Sequence, residues 1–179
     1  MGSRPMAMIA AAFLALVAGT CQSDDDDADD TSPTTDRTTT TVAPEAQVEA
    51  AYLAYRDMVT RLLQAPDPAD PEIGERTTDR NEEFLVDRLR TLLEQDQELR
   101  FGPQHTYEVV SVSIEGDEAT VRDCTVDDAQ TVSATSGAVV SEGTTTELLE
   151  ATLRRSDGQW RVATIDGLGH WEGAVTCED

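Results

Sequence analysis

A low-complexity segment at residues 22–43 limits how much of this chain can fold. The segment, QSDDDDADDTSPTTDRTTTTVA, consists almost entirely of Thr, Asp, Ser and Pro and holds seven acids against one arginine. Low hydrophobicity and like charge keep such a segment extended and solvated. A calcium loop is the alternative for its aspartate run, but the glycine and the closing glutamate of an EF-hand loop are missing. We expect a disordered acidic tether at residues 21–43 and one compact domain at residues 44–179.

Residues 1–20 have the layout of a secretory signal peptide. Arg4 is their only charged side chain, an apolar run extends from Met6 to Ala18, and small residues follow the run. A run of this length is too short to cross a bilayer comfortably. The sequence therefore predicts export, with the leader removed from the mature protein.

The residues before Cys21 carry a second targeting signal. Val17-Ala18-Gly19-Thr20-Cys21 resembles the lipobox of bacterial lipoproteins, in which small residues precede a cysteine that is diacylated and becomes the new N-terminus. Thr20 departs from the usual Gly, Ala or Ser. The expected location is extracytoplasmic, with the protein anchored to the cell membrane through lipidated Cys21. The alternative is a secreted soluble protein, cleaved by an ordinary signal peptidase near Gly19 or Thr20.

The cysteine count bears on the same question. An exported chain with Cys21, Cys124 and Cys177 has one odd thiol, and acylation of Cys21 removes it from the count. Cys124 and Cys177 are then expected to form a disulfide, and two buried thiols are the alternative.

Acidic charge is spread over the whole chain. The formal net charge is -23, and residues 44–179 alone hold 29 acids and 11 arginines. Such a surface repels phosphate backbones and anionic lipid headgroups. Nucleic-acid binding and a peripheral electrostatic membrane role are therefore both disfavoured, whereas cationic partners are possible.

Apolar periodicity predicts a first helix at residues 44–64. Apolar side chains recur there at steps of four and three, and Pro44 suits a first turn. Those side chains are Val48, Tyr52, Tyr55, Val59 and Leu62. The following residues 65–75 contain three prolines and are predicted to form a loop.

A second helix is predicted to begin at Thr78 or Asp79, either of which can cap it. We expect this helix to include Leu99 and to end near residues 101–103. Its other apolar residues are Phe84, Leu85, Leu89, Leu92 and Leu93.

Beyond residue 103 the apolar period changes to two, which predicts antiparallel hairpins. In the first hairpin, a two-residue turn within EGDE sets Val112 opposite Val121 and Val110 opposite Asp123. Asp123 then points to the apolar side of the sheet.

Two further hairpins follow. Residues 131–134 turn through Thr-Ser-Gly into residues 139–140. In the last hairpin, a turn at Asp157-Gly158 sets Leu153 opposite Val162 and Leu149 opposite Asp166. Asp166 is therefore a second carboxylate that ends an apolar row.

Helices followed by hairpins predict an α+β fold, with the helices packed on one face of a curved antiparallel sheet. This order resembles the cone-shaped fold of the nuclear transport factor 2-like superfamily. VRDC at 121–124, a Thr-rich loop with SG, ATLRRSDGQWRV at 151–162 and a cysteine near the end resemble extracytoplasmic bacterial lipoproteins of that fold. Members of this family often begin with a longer helical segment, whereas here the proline-rich loop at 66–71 takes up part of that segment. The superfamily includes isomerases, epoxide hydrolases, cyclases, dehydratases and members that only bind or dimerise, so the fold does not choose a function.

Asp123 and Asp166 are the candidate catalytic residues. If both lie at the mouth of a cone, one of them could have a raised pKa and act as a general acid or base on a small apolar ligand. The alternative is that both are strand-end acids that pair with Arg122, Arg161 or water.

The remaining residues suggest neither a nucleophile nor a metal site. His105 and His170 have no second ligand at metal spacing, and no serine lies in a G-x-S-x-G motif. No phosphate loop is present and no cofactor is expected. Tyr52 and Tyr55 are predicted to be core residues whose hydroxyls need partners.

Together these patterns favour a binding or accessory module without catalytic activity, whose partner is a small apolar ligand or a protein. A small-molecule isomerase or hydrolase using Asp123 or Asp166 is the first alternative, and an open apolar pocket holding a buried carboxylate would favour it. The second alternative is a structural subunit that forms a homodimer through its open sheet face.

Overall fold

Residues 42–177, the part of the chain that the computed structural model describes, form an α+β fold of three helices and seven strands. The predicted signal peptide, the lipidation site Cys21 and nearly all of the tether lie outside the described residues. The elements are α1 (Pro44–Gln64), α2 (Glu72–Arg76), α3 (Asp79–Glu94), β1 (Gln97–Arg100), β2 (Thr106–Glu115), β3 (Glu118–Asp127), β4 (Gln130–Ser133), β5 (Val139–Ser141), β6 (Thr145–Ser156) and β7 (Gln159–Glu172).

Helix α1 has the bounds that the sequence predicts. Pro44 occupies its first turn, where a missing N–H costs nothing. The helix ends at Gln64 because Ala65 precedes Pro66, and a residue before proline avoids the helical conformation. Its buried side chains are Val48, Tyr52, Tyr55, Met58 and Leu62.

Residues 65–75, predicted to be a loop, contain part of the short helix α2. The prediction is wrong for this part because the prolines end at Pro71, and nothing after them prevents a helical turn. The Asp70 carboxylate accepts a hydrogen bond from the Glu72 N–H at 2.8 Å, which supports the first turn. Ile73 is buried and joins the core.

Helix α3 begins at Asp79, as predicted, but it ends at Glu94 and does not include Leu99. Asp96 has a φ of 53°, which interrupts the helix, and Leu99 lies in strand β1. The Asp96 carboxylate accepts hydrogen bonds from the hydroxyls of Ser133 and Thr135 at 2.9 and 2.7 Å. Tertiary contacts thus fix a chain reversal where the apolar pattern alone predicts more helix.

The strands form two antiparallel sheets. One has the order β2-β3-β6-β7 and the other has the order β1-β4-β5. Strands β4 and β5 form the short pairing predicted for residues 131–134 and 139–140. Helix α1 packs against β2, β3 and β7, and helix α3 packs against β7 and β1.

Both long hairpins begin in the predicted register and then shift by one residue. Val112 lies opposite Val121 as predicted, but a bulge at Val110 sets Val109 opposite Asp123. The predicted pair of Val110 and Asp123 is therefore wrong. Because alternation along β3 is unbroken from Val121, Asp123 still points to the side of the sheet that faces the helices.

The last hairpin also contains a bulge, but here the bulge moves a predicted inward carboxylate to the other side of the sheet. Leu153 lies opposite Val162 as predicted, but Ala163 is an extra residue that sets Leu149 opposite Gly167. The predicted pair of Leu149 and Asp166 is wrong because this bulge changes which side the later residues of β7 face.

The side of the four-stranded sheet that faces the helices has two chemically different halves. The apolar half comprises the cross-strand rows Ile114, Ala119, Leu153, Val162 and Val112, Val121, Ala151, Ile165. The polar half comprises the rows Val109, Asp123, Leu149, Gly167 and Tyr107, Thr125, Glu147, His170. The hydrophobic core lies between the apolar half and the three helices.

A disulfide fastens the C-terminal tail to the opposite side of the same sheet. Cys124 and Cys177 are bonded, with their Cα atoms 5.8 Å apart. The Thr146 hydroxyl donates to the Gly173 carbonyl at 2.8 Å and accepts from the Val175 N–H at 3.0 Å. Such a crosslink is compatible with an extracytoplasmic domain, since disulfides persist in oxidising compartments.

No helix within residues 42–177 is both long enough and apolar enough to cross a membrane.

Candidate functional site

Asp123 is a fully buried acid in the polar half of the sheet. Its side chain is 1% exposed. Oδ2 accepts a hydrogen bond from the Thr125 hydroxyl at 2.9 Å and lies 3.6 Å from Arg56 Nη1. Burial raises the pKa of Asp123, and the nearby Arg56 guanidinium partly opposes this rise.

Arg56 reaches Asp123 from the centre of α1. Its Nη2 donates to the Thr125 hydroxyl at 3.0 Å, and its guanidinium lies 5.1 Å from the centroid of the Tyr107 ring. The Tyr107 hydroxyl in turn donates to Asp57 on the same helix. The guanidinium therefore neutralises Asp123 and is itself held from two sides.

Two tyrosines of α1 lie next to this pair. The Tyr55 hydroxyl donates to Asn81 Oδ1 at 3.3 Å, and Asn81 Nδ2 donates to the Val162 carbonyl at 3.4 Å. Within residues 42–177, neither the Tyr52 hydroxyl nor Asp123 Oδ1 has a hydrogen-bond partner. Burial, together with the Asp123 charge, raises the pKa of Tyr52, so its phenol stays neutral.

A cleft of about 850 Å³ lies beside this cluster, between α3 and strands β6 and β7. Its lining residues are Tyr55, Arg80, Asn81, Phe84, Glu147, Leu149, Thr164, Ile165, Gly167, Leu168, Gly169 and His170. Leu168 is an extra residue in β7, because Gly167 pairs with Leu149 and Gly169 pairs with Leu148. The bulge thus directs an apolar side chain into the cleft.

The lining of the cleft combines apolar and charged side chains. Phe84 is 68% exposed and Leu168 is 48% exposed, and both line the cleft together with Leu149 and Ile165. In the same lining, His170 Nδ1 lies 3.1 Å from Glu147 Oε1, and these residues are direct cross-strand neighbours. This arrangement can enclose an apolar group and present a carboxylate beside it.

The two predicted catalytic acids do not come together. Asp123 is buried under Arg56, whereas Asp166 is exposed and pairs with Arg80 on α3 at 3.2 Å. The prediction that Asp166 ends an apolar row is wrong, because the bulge at Ala163 turns its side chain outward.

The predicted alternative partners of the two acids also differ from the observed ones. Arg122 pairs with Glu150 at 2.9 Å, and Arg161 donates to the Ser156 hydroxyl at 2.9 Å. Neither arginine is the partner of Asp123.

The two histidines have different surroundings. His105 stacks on Phe101 with ring centroids 4.2 Å apart, and burial lowers its pKa. His170 lines the cleft, which sequence reasoning missed. Alternation from Leu149 places Glu147 on the helix-facing side and so gave a usable signal, whereas the position of His170 depends on the Leu168 bulge. In residues 42–177 no three His, Cys, Asp or Glu side chains are grouped so that they could hold a metal ion.

Comparison with known proteins supports the fold and nothing narrower. No protein-family model and no curated protein match the sequence. The fold is similar to the intermembrane space region of chloroplast protein ARC6, with a TM-score of 0.59 and 14% identity over 72% of this chain and 98% of that one. It is also similar to the Kfla4162 protein from Kribbella flavida, with a TM-score of 0.50 and 12% identity over 70% of this chain and 91% of that one. At these identities the likeness establishes only a shared α+β architecture.

Proposed function

We propose that the domain is a non-catalytic binding module that holds a small apolar ligand in the cleft between α3 and strands β6 and β7. The observation that carries the proposal is the pairing of an apolar floor, Leu149 and Ile165, with two exposed apolar side chains, Phe84 and Leu168. Ligand pockets are typically of roughly 300–1,000 Å³ and mostly apolar, with a few polar groups that orient the ligand. Large apolar side chains exposed side by side often mark such a site.

The catalytic alternative receives less support because its acid is outside the cleft. The cleft is open and apolar, as an enzyme of this kind would require, but Asp123 is not among its lining residues. Arg56 and Thr125 already contact the Asp123 carboxylate. A general acid must come within hydrogen-bond distance of the proton that it transfers. A structural role for Asp123 therefore fits the geometry better.

The proposal includes the fold family and the cellular location. The order of helices and antiparallel strands is the basis for assigning a nuclear transport factor 2-like domain. The apolar leader, the lipobox-like residues before Cys21 and the disulfide between Cys124 and Cys177 are the basis for a lipid-anchored extracytoplasmic protein. The intact mass of the membrane-extracted protein, measured with and without reduction, tests acylation and the disulfide together.

Ligand binding is tested with N-phenyl-1-naphthylamine, a neutral apolar dye that fluoresces in apolar surroundings. The mature chain should bind the dye saturably, and Leu168→Ser should weaken binding at least about tenfold, because it removes one apolar wall. Val110→Ser is a matched control, since Val110 is also an extra strand residue and is 50% exposed, but it does not line the cleft. Equal loss in both variants, or no saturable binding by the unmodified chain, would refute the proposal.

A further inference from the structure

The charges around the cleft point to the chemical class of its ligand. Arg80, which lines the cleft, forms an ion pair with Asp166, so their charges cancel. Asp123 is likewise compensated by Arg56. Glu147 is the one acid among the residues that line the cleft, and within residues 42–177 the only side-chain hydrogen-bond partner of its carboxylate is His170. With histidine counted as neutral, as in the formal net charge of the chain, Glu147 gives the cleft lining a net negative charge.

The rest of the chain is also negatively charged, so it adds to the negative potential at the cleft. The chain has a formal net charge of -23, which raises the local concentration of cations and lowers that of anions. Two aromatic rings, Phe84 and Tyr55, are also part of the lining, and aromatic faces attract cations. An anionic ligand would find no uncompensated cation among the cleft residues that the structure describes.

We propose that the cleft binds a cationic amphiphile, a molecule with an apolar body and a protonated amine at one end. The apolar body lies on Leu149 and Ile165 between Phe84 and Leu168, and the amine lies at Glu147. His170 donates its Nδ1–H to Glu147 and so holds the carboxylate in the cleft lining. This inference rests on the proposed function, because it specifies the ligand of the same cleft.

The test uses three probes with the same eight-carbon alkyl body and different ends: n-octylammonium, octan-1-ol and nonanoate. Titration calorimetry of the mature chain at low ionic strength should rank their affinities in that order. Octylammonium should bind about fivefold more tightly than octan-1-ol, as expected for a partly exposed ion pair. Raising the ionic strength should reduce this preference without weakening the binding of octan-1-ol.

Variants assign the preference to one residue. Glu147→Gln keeps an acceptor for His170 and should make octylammonium bind no more tightly than octan-1-ol. Glu150→Gln is the matched control, because Glu150 lies on the same strand, faces the opposite side and pairs with Arg122. It should leave the ranking unchanged. Leu168→Ser should weaken the binding of all three probes. This result would show that the probes bind in the cleft and not elsewhere on the acidic surface.

The outcomes separate this inference from the proposed function. Equal affinity for the three probes, a preference for nonanoate, or a preference that survives Glu147→Gln would overturn the cationic ligand while leaving an apolar binding cleft. Failure of octan-1-ol and of the other two probes to bind would overturn both. A concentration-dependent dimer that buries Phe84 and Leu168, detected by sedimentation, would also overturn both and would favour a second copy of the chain as the occupant.

Discussion

The apolar and polar halves of the helix-facing sheet surface use the same strands for different purposes. In the apolar half, Val121, Ala151 and Leu153 are fully buried beneath the helices and carry no polar group. In the polar half, the next inward residue of β3 is Asp123, which requires Arg56 from α1 to compensate its charge. One half stabilises the fold by burial, and the other half holds charged groups beside an open cleft.

The difference between the halves shows where this domain has room for function. A buried ion pair stabilises a fold less than well-packed apolar residues of the same volume, because both charges lose their hydration. A bulge at Leu168 and half-exposed apolar side chains also contribute little to stability. Such features concentrate in the polar half and the adjoining cleft, which is consistent with a ligand site there.

The largest expected effect comes from breaking the buried ion pair. Arg56→Met leaves the Asp123 carboxylate buried without a cation, which should lower the free energy of unfolding by about 3–5 kcal/mol at pH 7. The loss should shrink as the pH falls towards 4, because a buried carboxyl with a raised pKa is stable when protonated and costs stability as it ionises. Urea unfolding at both pH values measures the effect. The double variant Arg56→Met, Asp123→Asn should recover most of the loss, and no recovery would contradict the pairing.

A leucine truncation in each half compares their contributions directly. Leu153→Ala in the apolar half removes a fully buried side chain and should cost about 2–5 kcal/mol. Leu149→Ala, in the same strand but facing the cleft, should cost about 1 kcal/mol or less, because its side chain is only partly buried. The two free energies of unfolding come from the same denaturant titration. Equal costs would show that the cleft side is packed as tightly as the core.

Alkaline pH should weaken the contact between α1 and the sheet. Burial raises the pKa values of Tyr52 and Tyr55, so both phenols stay protonated in the folded chain when they ionise in the unfolded one. The contribution of these tyrosines to the free energy of unfolding should therefore be constant below pH 10. Above pH 10 it should fall by about 1.4 kcal/mol per pH unit for each tyrosine. Unfolding between pH 9 and pH 11 measures the slope. The double Phe variant should lose the part of the slope that Tyr52 and Tyr55 contribute and keep the part due to Tyr107, whose pKa burial raises to about 12. An unchanged slope would contradict the assignment.

The smallest effects distinguish the two tyrosines from each other. Tyr55→Phe removes the hydroxyl that donates to Asn81 and should cost about 1 kcal/mol. Tyr52→Phe removes a buried hydroxyl with no partner in residues 42–177 and should be neutral or slightly stabilising. Thermal unfolding of the two single variants gives the comparison. A larger loss of unfolding free energy for Tyr52→Phe than for Tyr55→Phe would mean that the Tyr52 hydroxyl makes a stabilising hydrogen bond.

Helix bounds and side-chain directions that follow from apolar periodicity were predictable from the sequence. Side-chain directions that depend on an extra residue in a strand were not. Helical spacing gave the bounds of α1, and alternation after Val121 gave the inward position of Asp123. The outward position of Asp166 follows from one extra residue, Ala163, which no periodicity reveals because apolar residues continue through it. The turn at Asp96 was hidden for the same reason, since Leu99 extends the apolar pattern of α3 into β1.

The cleft could not be predicted because it depends on how separate elements meet. Its walls come from α3 and from two strands that lie far from α3 in the sequence, and Leu168 faces it through a bulge. The cation that compensates Asp123 comes from α1, 67 residues earlier in the numbering. A one-dimensional pattern records which residues are apolar, but it does not record which of them remain uncovered after packing.

The most direct test of the binding cleft is a nuclear magnetic resonance titration of the ¹⁵N-labelled mature chain with octan-1-ol. The amide signals of Phe84, Gly167, Leu168 and Gly169 should shift saturably, while those of Ala119, Val121 and Leu153 in the apolar half stay in place. Shifts centred on the apolar half, or none that saturate at the cleft, would contradict a division of the sheet into a stabilising half and a ligand-binding side.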